Sequence, residues 1–137
     1  MNHSLKELAI YRLEKAKNDL EAAEKLLDEK LLLQSINRSY YAMFHAIRAL
    51  LSFDKVDSKK HSGIIHLFNQ KYISTGKIDK KYLKIVSTAF NIRIQSDYDD
   101  FYIISYDDVM TQIKNAKELI SVIEDYIQKL IEKNDYE

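Results

Sequence analysis

In the stretch FNIRIQSDYDDF, residues 90–101, Arg93, Asp97 and Asp100 recur at three- and four-residue spacing between two phenylalanines. An arginine on an apolar stripe needs a carboxylate in reach, because desolvating an unpaired guanidinium costs several kcal/mol. Asp97, one helical turn on, is a ready partner. The group then reads in one of two ways. It is a buried ion pair that sets the register of packed helices, or Arg93 and its carboxylates face a pocket or a partner subunit. A second constellation lies in NRSYYAMFHAIR, residues 37–48, where Arg38, Tyr41, His45 and Arg48 share one side of a helix. Two nearby cations disfavour a protonated imidazole, and a neutral His45 suits a general base. The plainer alternative is a solvated polar edge with an amphipathic Tyr41.

Other chemistry-bearing residues carry less. His61 and His66 are five apart, whereas metal-binding pairs on one helical face want three or four, and no third ligand is evident. His61, beside Ser62 and Gly63, is expected to help cap a helix or to hold the preceding loop. The aspartates of YDDFY and SYDD could hold Mg²⁺, but carboxylates at helix ends more commonly complement the helix dipole. There is no glycine-rich phosphate loop and no HExxH. No metal and no cofactor is expected.

Helices must position these groups. SLKE, with Ser4 and Glu7 at capping-box spacing, opens a first helix over about Leu5–Glu29. Its stripe of Ala9, Leu13, Ala16, Leu20, Ala23 and Leu27 steps by four and three. Val109, Ile113, Ala116, Ile120, Ile123, Ile127 and Leu130 mirror it in a last helix over about Asp107–Lys133, begun by Ser105 and Asp108. Residues 31–53 form a second long helix. Its bulky arc is Ile36, Tyr40, Met43, Phe44, Ile47, Leu50 and Leu51, and its small arc is Ser39, Ala42, Ala46 and Ala49. Residues 58–74 form a shorter third helix, stopped by Thr75–Gly76 in a left-handed cap. Asp79 caps a fourth that runs to about Phe101. The spacing predicts a single all-α domain over 1–137, an antiparallel up-and-down bundle of four main helices plus a shorter one.

Composition supports this and narrows function. The chain has 137 residues, 46% hydrophobic and 31% charged, with no proline and two glycines, which favours long helices over many-turned sheets. Twenty-one basic residues balance twenty-one acidic ones. No global field holds nucleic acid, so an RNA contact would have to be local. Without cysteine there is no disulfide, no thiol catalysis and no Cys-based metal site. The amphipathic amino terminus and the lack of a membrane-length apolar run lead to the expectation of a cytoplasmic protein.

SINRSYYAMFHAIRALL, KKHSGIIHLF and RIQSDYDDF, in that order, resemble HEPN-domain proteins. In particular they resemble the small stand-alone bacterial and archaeal members often encoded beside a minimal nucleotidyltransferase. The resemblance implies a helical bundle that pairs as a homodimer. Many such proteins are metal-independent ribonucleases, acting as toxins or in RNA-targeting defence. Their signature is an arginine, four to six residues and a histidine, and the two protomers share one cleft. In that chemistry the RNA 2′-hydroxyl attacks, histidine moves the proton and arginine stabilises the phosphorane.

In this chain four residues intervene between Arg93 and Tyr98, so a tyrosine stands where the signature has histidine. Tyrosine can donate a hydrogen bond there but is a poor base at its usual pKa near 10. A second match, Arg38 to His45, lies on the second helix rather than the later one. The resemblance therefore implies Arg93 as the phosphate-stabilising residue, assisted by Tyr98 or by His45 with Arg38. Asp97, Asp100, Arg48 and Tyr41 are candidate binding residues. A nucleotidyltransferase partner can modify a HEPN tyrosine with AMP, which points to Tyr98 and Tyr102. The expected function is a HEPN protein working with a nucleotidyltransferase in a toxin–antitoxin pair, with metal-independent RNA cleavage. The alternative is a non-catalytic helical module that binds a nucleotide or docks a partner.

Overall fold

The stripes of four-and-three spacing wind into long helices in a computed structural model, which describes residues 2–134. The elements are α1 (Asn2–Asp28), α2 (Leu32–Leu51), α3 (His61–Phe68), α4 (Lys81–Tyr98) and α5 (Tyr106–Asn134). A 3₁₀ turn at Ser52–Asp54 follows α2, and a π-helical turn at Asn69–Ile73 extends α3. Among the described residues there is no strand, and no helix is long and apolar enough to cross a membrane. The all-α bundle predicted from periodicity is what forms.

The central element is α2, which packs against α1, α3, α4 and α5. Both of its predicted apolar arcs are buried, from Ile36 and Tyr40 on one side to Ala42 and Ala46 on the other. The α1 and α5 stripes close over it, with Ala16, Ala23, Ala116 and Ile123 fully covered. Gln112 of α5 donates to the Ile36 carbonyl at 2.9 Å and to Ser39 Oγ at 2.8 Å, so the small arc of α2 admits a buried amide with its hydrogen bonds met.

Helix ends follow local chemistry, with departures from the sequence-based bounds. Helix α1 reaches back to Asn2, so Ser4 lies within it; the side chain of Ser4, and with it the proposed capping box, lies outside the described residues. The helix ends with Lys30 at φ 61°, where the Leu31 amide bonds to the Leu26 carbonyl at 2.9 Å and the Lys30 amide to Leu27 at 2.9 Å. That is a Schellman closure made without glycine. Gly76 takes the left-handed cap expected of it, with φ 77°. Asp79 Oδ1 accepts from the Lys81 amide at 2.8 Å and Ser105 Oγ from Asp108 at 3.0 Å, as N-caps do.

Helix α4 stops at Tyr98, three residues short of Phe101. Asp99 turns the chain instead, its carboxylate accepting from the Phe101 amide at 3.0 Å. Phe101 is 88% exposed, so it is not the end of a buried stripe, and Ile94 is also exposed.

Candidate functional site

Helix α2 presents two polar groups, and different neighbours take them up. Toward α1, Arg38 Nη1 donates to Asp19 Oδ1 at 3.0 Å, and His45 Nε2 lies 3.6 Å from Asp19 Oδ2. Burial pulls the His45 pKa down to about 4; Asp19 opposes the shift, while Lys15, Arg48 and Arg38 add to it. The imidazole is neutral at pH 7, as the sequence suggests, but burial rather than the two arginines is the main cause. Its Nδ1 is buried without a hydrogen-bond partner. The guanidinium of Arg38 also stacks 4.8 Å from the Tyr41 ring.

Further along α2, Arg48 turns to the loop before α3. It grips Asp57 with two bonds, Nε to Oδ1 at 3.2 Å and Nη2 to Oδ2 at 2.7 Å. Arg12 of α1 reaches the same carboxylate at 3.4 Å and donates to Ser52 Oγ at 3.0 Å. The Arg48 hydrogen bonds hold the Asp57 carboxyl below its usual range. Arg12 and Asp57 carry no signal in the helical periodicity; this clamp is made between α1, α2 and a loop.

The loop delivers His61, the first residue of α3. Its Nδ1 is 2.7 Å from the Tyr40 hydroxyl, and its ring stacks on Phe44 with centroids 4.1 Å apart and planes 15° apart. Burial, then Arg93 and Arg48, lower its pKa. Burial raises that of Tyr40, which stays a phenol. A helix-capping role is thus too small a reading of His61, which is built into the aromatic cluster. The sequence held one hint, Gly63. A Cβ there would come within 2.1 Å of Ser58 Oγ and 2.8 Å of its Cβ, so the loop lies directly on the first turn of α3.

Arg93 enters from α4. Its guanidinium sits 5.7 Å from the Tyr40 ring centroid and 5.2 Å from that of Tyr41, within cation–π range. Tyr41 therefore lies in reach of two guanidiniums, those of Arg38 and Arg93. Asp97 is 3.9 Å away and half exposed, too distant for a hydrogen bond. Among the described residues no acceptor takes an Arg93 guanidinium proton, whereas Arg38 and Arg48 both have carboxylates. The Arg93 side chain is 26% exposed, so it is not sealed in the bundle as a register-fixing ion pair would be.

The remaining candidates separate. Tyr98 is 86% exposed, and it is the rings of Tyr40 and Tyr41, not its own, that lie under the Arg93 guanidinium. Tyr102 is partly covered and packs against the smaller core of Ala23, Leu27, Ile36, Ile104, Val109 and Ile113. Asp100 is exposed and joins no ion pair among the described residues. Those residues contain no grouping of three His, Asp or Glu side chains able to hold a metal.

This arrangement, a guanidinium whose donors meet no hydrogen-bond acceptor among the described residues beside an oriented imidazole and two tyrosines set edge to face midway along the central helix, has the chemistry to recognise a phosphate. Comparison with known proteins places it. The family model described as "HEPN domain" matches residues 9–126. A Thermotoga maritima protein named "UPF0332 protein" is 32% identical over 95% of this chain and 98% of its own length. Two Methanocaldococcus jannaschii proteins whose names read "Putative toxin" are 36% and 34% identical. Those matches cover 64% and 72% of this chain, and 59% and 73% of theirs. With a family model that runs from within α1 to within α5, the chain belongs to the HEPN family.

Proposed function

We propose that the protein is a toxin-type HEPN ribonuclease that works with a minimal nucleotidyltransferase. One observation carries this reading: Arg93 is held above Tyr40 and Tyr41 with its hydrogen-bond donors unspent, in the environment a phosphate-binding guanidinium needs. Two relatives whose names read "Putative toxin" support it. In the reaction, the 2′-oxygen of an RNA ribose attacks the adjacent phosphorus while a base takes its proton. The bond from phosphorus to the 5′-oxygen breaks and that oxygen gains a proton, leaving a 2′,3′-cyclic phosphate and a 5′-hydroxyl. Arg93 stabilises the charge that builds on the phosphorane oxygens. A homodimer would bring a second Arg93 cluster to the same cleft. Tyr98, fully accessible at the end of α4, is the better placed of the two tyrosines for modification by the partner, because Tyr102 is packed.

The test is cleavage of a structured RNA pool in chelator, comparing wild type with Arg93→Ala at matched helicity. Loss of about 100-fold or more in the variant is expected, the scale of removing a transition-state donor. Wild-type protein that cuts no RNA would overturn the ribonuclease reading. The exposed Tyr98 in the place of a histidine favours the second reading, a non-catalytic module whose chemistry belongs to its partner.

A further inference from the structure

Phe44, Arg48, Asp57, Ser58, Lys59 and His61 line an open groove of about 610 Å³ against the aromatic cluster. We infer that this groove receives one ribose–phosphate unit of single-stranded RNA, with His61 Nε2 at the 2′-hydroxyl and Lys59 on the phosphate. The inference rests on the RNA reading above and supplies the imidazole that the position after Arg93 lacks.

Three features carry it. The imidazole is oriented in advance: Nδ1 lies 2.7 Å from the Tyr40 hydroxyl and Phe44 fixes the plane, and in the tautomer in which Nδ1–H donates to the Tyr40 oxygen Nε2 holds the free lone pair that meets the ligand. The loop is held too, by the two-arginine clamp on Asp57 and by the close seat of Ser58 on Gly63. The charge also fits. Asp57 is the one carboxylate in the lining and is already engaged by Arg48 and Arg12, while Lys59 is exposed and Arg93 acts on His61 from α4. A divalent cation would meet Arg48 and Lys59 before any free carboxylate, whereas a phosphodiester is drawn in. In the cleavage proposed above, His61 would take the 2′-hydroxyl proton at Nε2 and the leaving 5′-oxygen would draw its proton from water.

The probe is a fluorescently labelled ribonucleoside 3′-monophosphate, which keeps the 2′-hydroxyl beside the phosphate but has no 5′-linked nucleoside to lose, titrated onto the full chain by fluorescence anisotropy. Lys59→Ala and His61→Gln, with helicity unchanged by circular dichroism, are each expected to weaken binding about tenfold. Lys59 is exposed, so its variant keeps the test open even if His61→Gln perturbs the fold. The groove is overturned if the wild type does not bind, if His61→Gln folds and binds as wild type does, if Lys59→Ala binds as wild type does, or if inorganic phosphate at matched concentration displaces the nucleotide. Parallel cleavage of unmodified RNA separates the two ideas. Cleavage that survives His61→Gln removes His61 and leaves the ribonuclease standing. Specific binding without cleavage by the wild type removes the ribonuclease and leaves the groove.

Discussion

His45 and His61 both touch the Tyr41 and Phe44 rings, one from α2 itself and the other from the start of α3. His45 lies 6.2 Å from Tyr41 and 5.6 Å from Phe44, and His61 5.8 Å and 4.1 Å from the same rings. Both are held neutral chiefly by burial. They differ in what they face. His45 looks across at Asp19 of α1, a helix already pairing with Arg38, and its second nitrogen is closed off from any partner. His61 has one nitrogen tied to Tyr40 and stands at a groove with Arg93 and Arg48 acting on it. The lesson is that a neutral imidazole is common where helices pack, and that chemistry depends on what its second nitrogen can reach.

The comparison can be strained in three ways beyond the loss of Arg93. The largest is Gly63→Ala. The added methyl cannot coexist with Ser58 where it stands, so the loop that presents Lys59 and His61 must move; a loss of about 2 kcal/mol is expected, in the range of overpacking. Urea unfolding would measure it, and RNA binding should fall with it while the environment of His45 stays as it was.

Next is the pH dependence of His45. Its folded pKa of about 4 lies below the unfolded value near 6.5, so between these the unfolded chain binds more protons. Stability from this group is complete above pH 6.5 and is lost as pH falls through that window toward 4. With partial solvent screening the loss is about 1–2 kcal/mol. His45→Gln, compared with wild type by denaturant unfolding at pH 7 and pH 4.5, should lack that part of the slope. An identical slope in the two proteins would show that the groups facing His45, namely Asp19, Lys15, Arg38 and Arg48, leave it as easily protonated as a free imidazole.

The smallest expected effect is Tyr98→Phe, within about 0.5 kcal/mol of wild type in unfolding, because the ring is exposed and unpaired. Transfer of AMP by a nucleotidyltransferase, read by mass spectrometry, should nonetheless be lost in this variant and kept in Tyr102→Phe. The opposite result would place the modification on the packed tyrosine and require the α4–α5 segment to open.

Much of the fold is legible in the residues themselves. Stripes of Ala, Leu and Ile at helical spacing must be buried, and burying them makes α1, α2 and α5 and leaves Arg38, Tyr41, His45 and Arg48 on a common side. Caps at Asp79, Ser105 and Gly76 are likewise local, needing only a side-chain oxygen or a left-handed backbone. Arg93 stands out for the same reason, as a charge on an apolar arc. The tertiary structure alone decided which of these groups meet. Asp19 takes Arg38 and draws His45 toward α1, Asp57 takes Arg48 and leaves Arg93 without a strong partner, and a loop of no periodicity seats His61 on Phe44 beside Tyr40. Periodicity sets the direction a side chain leaves its own helix. It carries no information on the rotation and register of the neighbouring helix, and these are what bring an imidazole and a guanidinium to one place.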